Sequence, residues 1–310
     1  MACPINEVPA RLEPSRVTWG RAQCRSLTTV ADVALSLEDT YFDLNGVDTT
    51  LADNVFTEKR YYVWYNGGTG SDPAIAGKTG IEVTYVSGDL ASVIATKTQL
   101  AIDALSDFKA EVSIDEVVIF NKKIGSITAE LDSGSTGFAF TVGSIGFGGD
   151  LGKTSGGISF NMETSTVEIK ADQTGDLLLD DVFSGAALNI DMSLLEMSAA
   201  NWALIVGQGV GSNFTPSGGT QVTGMGSAKV FKNATSFAGQ LVLHPLSVED
   251  TDKSRNLSFW LSLPLPSSIN FSGTDVQVME VQFKAYNDKT KNPLVDMFVF
   301  GDQSQEGFDI

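Results

Sequence analysis

The chain has 310 residues, 42% hydrophobic and 19% charged, which leaves room for two domains or one large all-β domain. A net charge of −18 argues against binding nucleic acid by phosphate neutralisation, because that mode needs clustered Lys and Arg. No run of 18 apolar residues occurs and no basic–apolar–small signal opens the chain, so no membrane partner is expected.

Glycine is abundant (31) and proline sparse (9), and short runs rich in Val, Ile, Phe and Thr alternate with Gly, Ser, Asn and Asp clusters. This pattern predicts a mainly β fold with few helices. Cys3 and Cys24 are the only cysteines and are expected as reduced thiols. Tyr61–Tyr65 reads as an aromatic strand, and Gly67–Thr79 as a turn-rich loop containing Asp72-Pro73. Ile81–Val86 alternates as a strand. Ser87 is positioned to cap a helix in which Leu90, Val93, Ile94, Ala101, Ile102 and Leu105 recur at helical spacing. Glu111–Phe120 and Phe138–Val142 follow as further strands, so residues 24–149 describe a small α+β unit with its own apolar set. Six glycines between Gly143 and Gly156 suit a flexible return linker.

Ile158–Ile169 and Ala186–Met192 alternate as two half-buried strands. Between them Asp172, Asp176, Asp180 and Asp181 suit an exposed acidic loop or strand end. Ser193 is a candidate N-cap for a helix carrying Leu194, Leu195, Ala199, Trp202, Ala203 and Val206, which ends at Gly207. Gly207–Ala228 is too polar and glycine-rich to hold a core, and a loop of this length is expected to be functional or disordered.

Signals of chemistry are weak. Two Gly-Lys-Thr triplets lack the upstream glycine of a P-loop, with Asp72 and Phe147 in its place. His244 is the only histidine and sits in the apolar run Leu241–Leu246, so a structural role is expected rather than a dyad or zinc site. Glu249-Asp250-Thr251-Asp252 does not match a calcium loop and reads as an acidic turn. Trp19, Trp64, Trp202 and Trp260 are expected in cores or at subunit seams. No catalytic residue, cofactor or metal is expected.

One stretch supports a more specific reading. Val167–Gly175, followed by Asp181, Val182, Ser184 and Gly185, an alternating strand and a short helix, resembles the major tail tube protein of tailed bacteriophages. Pro14–Gly20 resembles that family's opening strand, and Leu241–Pro245, Val276–Ala285 and Met297–Gly301 resemble its late strands. The resemblance covers residues 10–23 and 150–310. It implies a tail tube domain at 1–23 and 150–310, a β-sandwich or barrel-like protomer with one flanking helix. Residues 24–149 would then be an inserted decoration domain, which also looks loosely like a module of phage tail and baseplate proteins.

The resemblance further implies homohexameric rings stacked head to tail into a virion tail assembled in the host bacterial cytoplasm. Tail terminator, distal tail and tape measure proteins would be its partners, and viral DNA would pass through the lumen without specific binding. On that reading Asp172, Asp176, Asp180, Asp181, Asn213, Phe214, Lys229 and Lys232 are candidates for contacts between subunits or rings. Glu163, Glu168 and Lys170 are candidates for the lumen. Alternation puts Glu163 and Glu168 on opposite faces of a regular strand, and the Glu168 face is preferred for the bore. The insert is expected to project from the outer wall, which favours a non-contractile tail. A β-rich adhesin, or the tube protein of a contractile injection system, are the alternative readings.

Overall fold

The computed structural model describes residues 15–48, 57–125, 127–144, 146–170, 178–196, 198–206, 213–214, 222–223, 227–269, 277–303 and 307–308. Among the described residues the fold is mainly β, with 53% strand and 10% helix. The chain divides into two compact units, residues 1–19 with 150–310, and residues 20–149. This boundary at residue 20 and the expected one at residue 24 both fall within the opening strand β1 (Ser15–Thr28). An 11-stranded antiparallel sheet includes β1, and a three-stranded sheet is not strand-paired with it.

The unit at residues 20–149 contains β2 (Tyr41–Asp48), β3 (Thr57–Asn66), β4 (Thr79–Thr84), α1 (Ala91–Asp103), β5 (Phe108–Ser113), β6 (Glu116–Ile124) and β7 (Ala139–Ser144). β8 (Phe147–Asp150) ends it. β2, β3 and β4 form the three-stranded sheet, antiparallel then parallel. β5 and β6 are a hairpin where a single strand was expected. The break falls at Ile114, which takes a positive φ of 58° in the turn.

α1 buries Ile94, Ala95, Thr98 and Ile102 among Phe42, Tyr65, Ile81 and Phe108. Its N-cap is Leu90 with no side-chain cap, not Ser87, and Leu90 lies exposed. The helix also covers a sheet edge. The backbone N–H of Ala110 donates to Asp103 Oδ1 (2.9 Å), and Gln99 Nε2 donates to the Ala110 carbonyl (2.8 Å), so these edge groups of β5 are satisfied within the chain. The expected glycine-rich linker instead contains β8 and the start of the next strand.

A buried ionic network ties this unit together. Arg25 Nε and Glu130 Oε1 lie 2.7 Å apart, both side chains almost fully buried. Arg25 also donates to Asn121 Oδ1 (2.9 Å) and to the Asn45 carbonyl (3.1 Å), and stacks 5.5 Å from the Phe108 ring. Burial pushes the Glu130 carboxyl up and the Arg25 guanidinium down, against their mutual attraction.

In the unit of residues 1–19 and 150–310, β9 (Thr154–Lys170) and β10 (Leu178–Leu194) form a long hairpin. A short helix α2 (Ala199–Ile205) follows, then the two-residue strands β11 (Asn213–Phe214) and β12 (Val222–Thr223), and β13 (Gly239–Pro245). β14 (Leu257–Ile269), β15 (Met279–Tyr286) and β16 (Phe298–Phe300) complete it. β14 carried no sequence signal that singled it out. α2 is capped by Ser198, whose hydroxyl accepts from the Asn201 N–H (3.1 Å). Ser193, the expected cap, is still in β10.

The sheet runs β1–β13–β14–β15–β10–β9, and β16 pairs with β14. Trp19 anchors its core: fully buried, it donates from Nε1 to the Ser262 carbonyl (3.0 Å) and meets Phe283 edge-on at 6.2 Å. Phe259, Val281 and Leu188 are buried in the same unit. His244 is also buried, its Nδ1 2.7 Å from Asn256 Oδ1. Asp250, from the acidic turn, pairs with Arg16 (3.0 Å).

Two predictions follow from residues 20–149. Arg25→Ala or Glu130→Ala alone strands a buried charge and is expected to cost about 3–5 kcal/mol in urea unfolding. Replacing both with apolar residues of similar volume is expected to cost far less; equal losses would refute the pairing. The second concerns acid. Burial raises Asp107, but hydrogen bonds from Lys59 (2.8 Å) and Tyr61 (2.5 Å) and the Lys123 charge outweigh it and hold it below the usual carboxylate range. The same balance, won by the Gly88, Leu37 and Leu35 N–H groups, lowers Asp32. Carboxyls lowered on folding stabilise the fold above their unfolded values, and that stability is lost as pH falls through the folded values. Urea midpoints should therefore hold from pH 7 to 5 and fall below about pH 4, and Asp107→Asn should flatten that fall.

Candidate assembly surface

The hairpin of β9 and β10 has two regimes. Near its base, alternation buries Leu188, Ile190, Met192 and Leu194 of β10. Further out the alternation of burial stops. Every residue of Ser159–Lys170 and of Leu178–Ala187 is exposed, although the two strands remain paired. The sequence of this outer part is not that of a solvated ribbon. Phe183 is 77% exposed, Val167 57%, Val182 51% and Ile169 43%. Among the described residues β9 ends the pairing path, so its outer edge is an open strand edge of up to 17 residues.

Register assigns the faces. Leu188 pairs with Met162, Ile190 with Phe160 and Met192 with Ile158. β9 alternates without interruption from Ile158 to Lys170, because the two outer bulges fall in β10, between Leu178 and Asp180 and between Phe183 and Gly185. Glu168 and Lys170, paired at 3.2 Å, therefore share the face of the buried Leu188, Ile190 and Met192. Glu163 lies on the opposite face with Ser159, Asn161 and Ser165. That face continues as a polar row across the sheet: Asn161 Nδ2 donates to Asp191 Oδ2 (2.8 Å), and Gln282 Nε2 donates to Asp191 Oδ1 (2.9 Å). Glu280 and Lys284 of β15 extend it.

The other expected site residues scatter. Asp172 and Asp176 lie outside the described residues. Asp180 and Asp181 are exposed at the start of β10, at a strand end as one of the two expectations had it, opposite Ile169 and Glu168. Asn213 and Phe214 form β11, paired with Thr223 and Val222; the rest of the Gly207–Met225 stretch is outside the described residues apart from this ladder. Lys229 ends a 3-10 turn with its ammonium 5.0 Å over the Phe237 ring, and burial lowers its pKa. Lys232 is exposed. Sequence reasoning missed the apolar outer hairpin residues, since Val167, Ile169 and Val182 satisfy the pattern of a half-buried strand whether or not the chain itself covers them. The chain matches no family model and no curated protein sequence.

A two-stranded ribbon is marginal by itself. In dilute protein, amides of Thr166–Lys170 and Asp180–Phe183 should exchange hydrogen orders of magnitude faster than those of Leu188–Leu194, read by mass spectrometry. Equal protection along β10 would show that the ribbon is stable without a neighbour.

Proposed function

We propose that this protein is a structural subunit of a phage tail tube, in which copies close into hexameric rings and rings stack into a conduit for DNA. The observation that carries this reading is the outer hairpin: a long open edge, paired on one side only, with apolar side chains exposed on both faces. A neighbouring copy that adds a strand along β9 satisfies the edge groups, and repetition around a ring removes the edge altogether. Head-to-tail repetition of an unlike contact then gives an open filament. The motif resemblance around Val167–Gly185 points the same way.

On this reading the bore is lined by the face turned away from each subunit's own core. That favours the Glu163 face over the Glu168 face preferred from sequence, since Glu168 continues the row of Leu188, Ile190 and Met192. Glu163, Asp191 and Glu280 against Lys284 leave the row acidic, which repels DNA phosphates and lets the genome slide. No step of this role needs a catalytic group or a cofactor.

Negative-stain micrographs of the concentrated, purified chain are expected to show rings with sixfold symmetry and short stacks. A strict monomer at every concentration tested would end the proposal, and a bore lined mainly by Lys and Arg would overturn the acidic-bore assignment.

A further inference from the structure

The turn after the 3-10 turn at Ser227–Lys229 presents an unusual side chain. Phe231 is fully exposed, at 102%, and holds a left-handed backbone with φ of 65°. Positive φ is uncommon for any residue other than glycine and an outlier for a bulky one. Among the described non-glycine residues that share this conformation, the others are Ala34, Leu35, Asp39, Ala74, Ile114 and Ser135, so Phe231 is the only aromatic one. Among the described residues nothing repays the strain by burying the ring. Val230 beside it is 56% exposed, and Lys232 follows, exposed as well. Strain kept at an exposed aromatic is the mark of a contact made with something else.

The outer hairpin offers the complementary surface. Along the Glu163 face, β9 is polar at Ser159, Asn161, Glu163 and Ser165 and then turns apolar at Val167 and Ile169. Val182 stands opposite Val167 on this face, and Asp180 stands opposite Ile169. A single face that changes from polar to apolar along its length marks where water ends and a neighbour begins. Three aliphatic side chains with one carboxylate at their edge match one aromatic ring followed by one ammonium.

We infer that Phe231 of one copy seats on the Val167–Ile169–Val182 patch of a second copy, with Lys232 beside Asp180. This rests on the tube reading and names one of its contacts. It revises the sequence-based pairing of the acidic residues with both lysines, because Lys229 is engaged with the Phe237 ring and Lys232 carries the outward charge. The apolar seat supplies most of the attachment, and the charge pair sets its register.

Sedimentation of the full chain over a range of concentrations tests the contact. Phe231→Gly removes the ring and relieves the backbone, so its melting temperature should not fall, while the concentration needed for assembly should rise about tenfold or more. Val182→Ser should raise it similarly. Lys232→Glu should weaken assembly, and adding Asp180→Lys to it should restore most of the loss. If the unaltered chain assembles and Phe231→Gly assembles at the same concentration, the knob assignment is wrong and the tube reading stands. If the paired charge reversal restores nothing, the Lys232–Asp180 register is wrong. If the unaltered chain never assembles, the tube reading itself falls.

Discussion

A ribbon of two β-strands has no second layer to bury its side chains and no third strand to satisfy its outer edge. The hairpin of β9 and β10 lives under that constraint for its outer half. Its inner half is stabilised by the sheet, where Leu188, Ile190 and Met192 are buried opposite Ala285, Phe283 and Val281. The outer half keeps its strand pairing but leaves Phe183, Val167 and Val182 in water. Each buried aliphatic or aromatic side chain is worth about 1.5–3 kcal/mol, so that stabilisation is available to whatever covers the ribbon. Assembly is the economical way to resolve the constraint, since a neighbour brings both a strand for the edge and a surface for the faces.

The unit at residues 20–149 meets the same constraint differently. Its edge strand β5 is closed off by side chains of α1, with Asp103 and Gln99 taking the backbone groups of Ala110. Its apolar residues gather into one core, from Leu27 and Phe42 to Ile119 and Phe138. The buried Arg25–Glu130 pair joins elements that are distant in sequence, and the guanidinium also donates to Asn121 and to the Asn45 carbonyl. Such a pair contributes little net stability compared with apolar packing, but breaking it is costly, so it specifies how β1 and β6 meet. The edge of β5 is covered at Ala110 by side chains of its own chain, whereas among the described residues the edge of β9 is left open. That contrast is why the proposed assembly is drawn from the hairpin of β9 and β10 rather than from residues 20–149.

The amino-acid sequence by itself determined the mainly β fold, the presence of a second unit and most element types. Composition and periodicity located β3, β4 and β9 because alternation and β-rich runs are local properties of the chain. It placed α1 but misread its cap and its exposed side, since Leu90 and Ile94 are equally apolar and only packing distinguishes them. It placed the helix after β10 too early, because Ser193 and Ser198 are both good caps and the decision lies with β15, which holds Ser193 in register with Glu280. It saw that Glu163 and Glu168 must face opposite ways but not which face meets the core. Only the tertiary structure decided that, through the pairing of Met162 with Leu188. The same holds for the apolar outer hairpin and for Phe231. Local sequence fixes how often a strand alternates, whereas exposure depends on whether distant parts of the chain come to cover it, and that is a property of the whole fold.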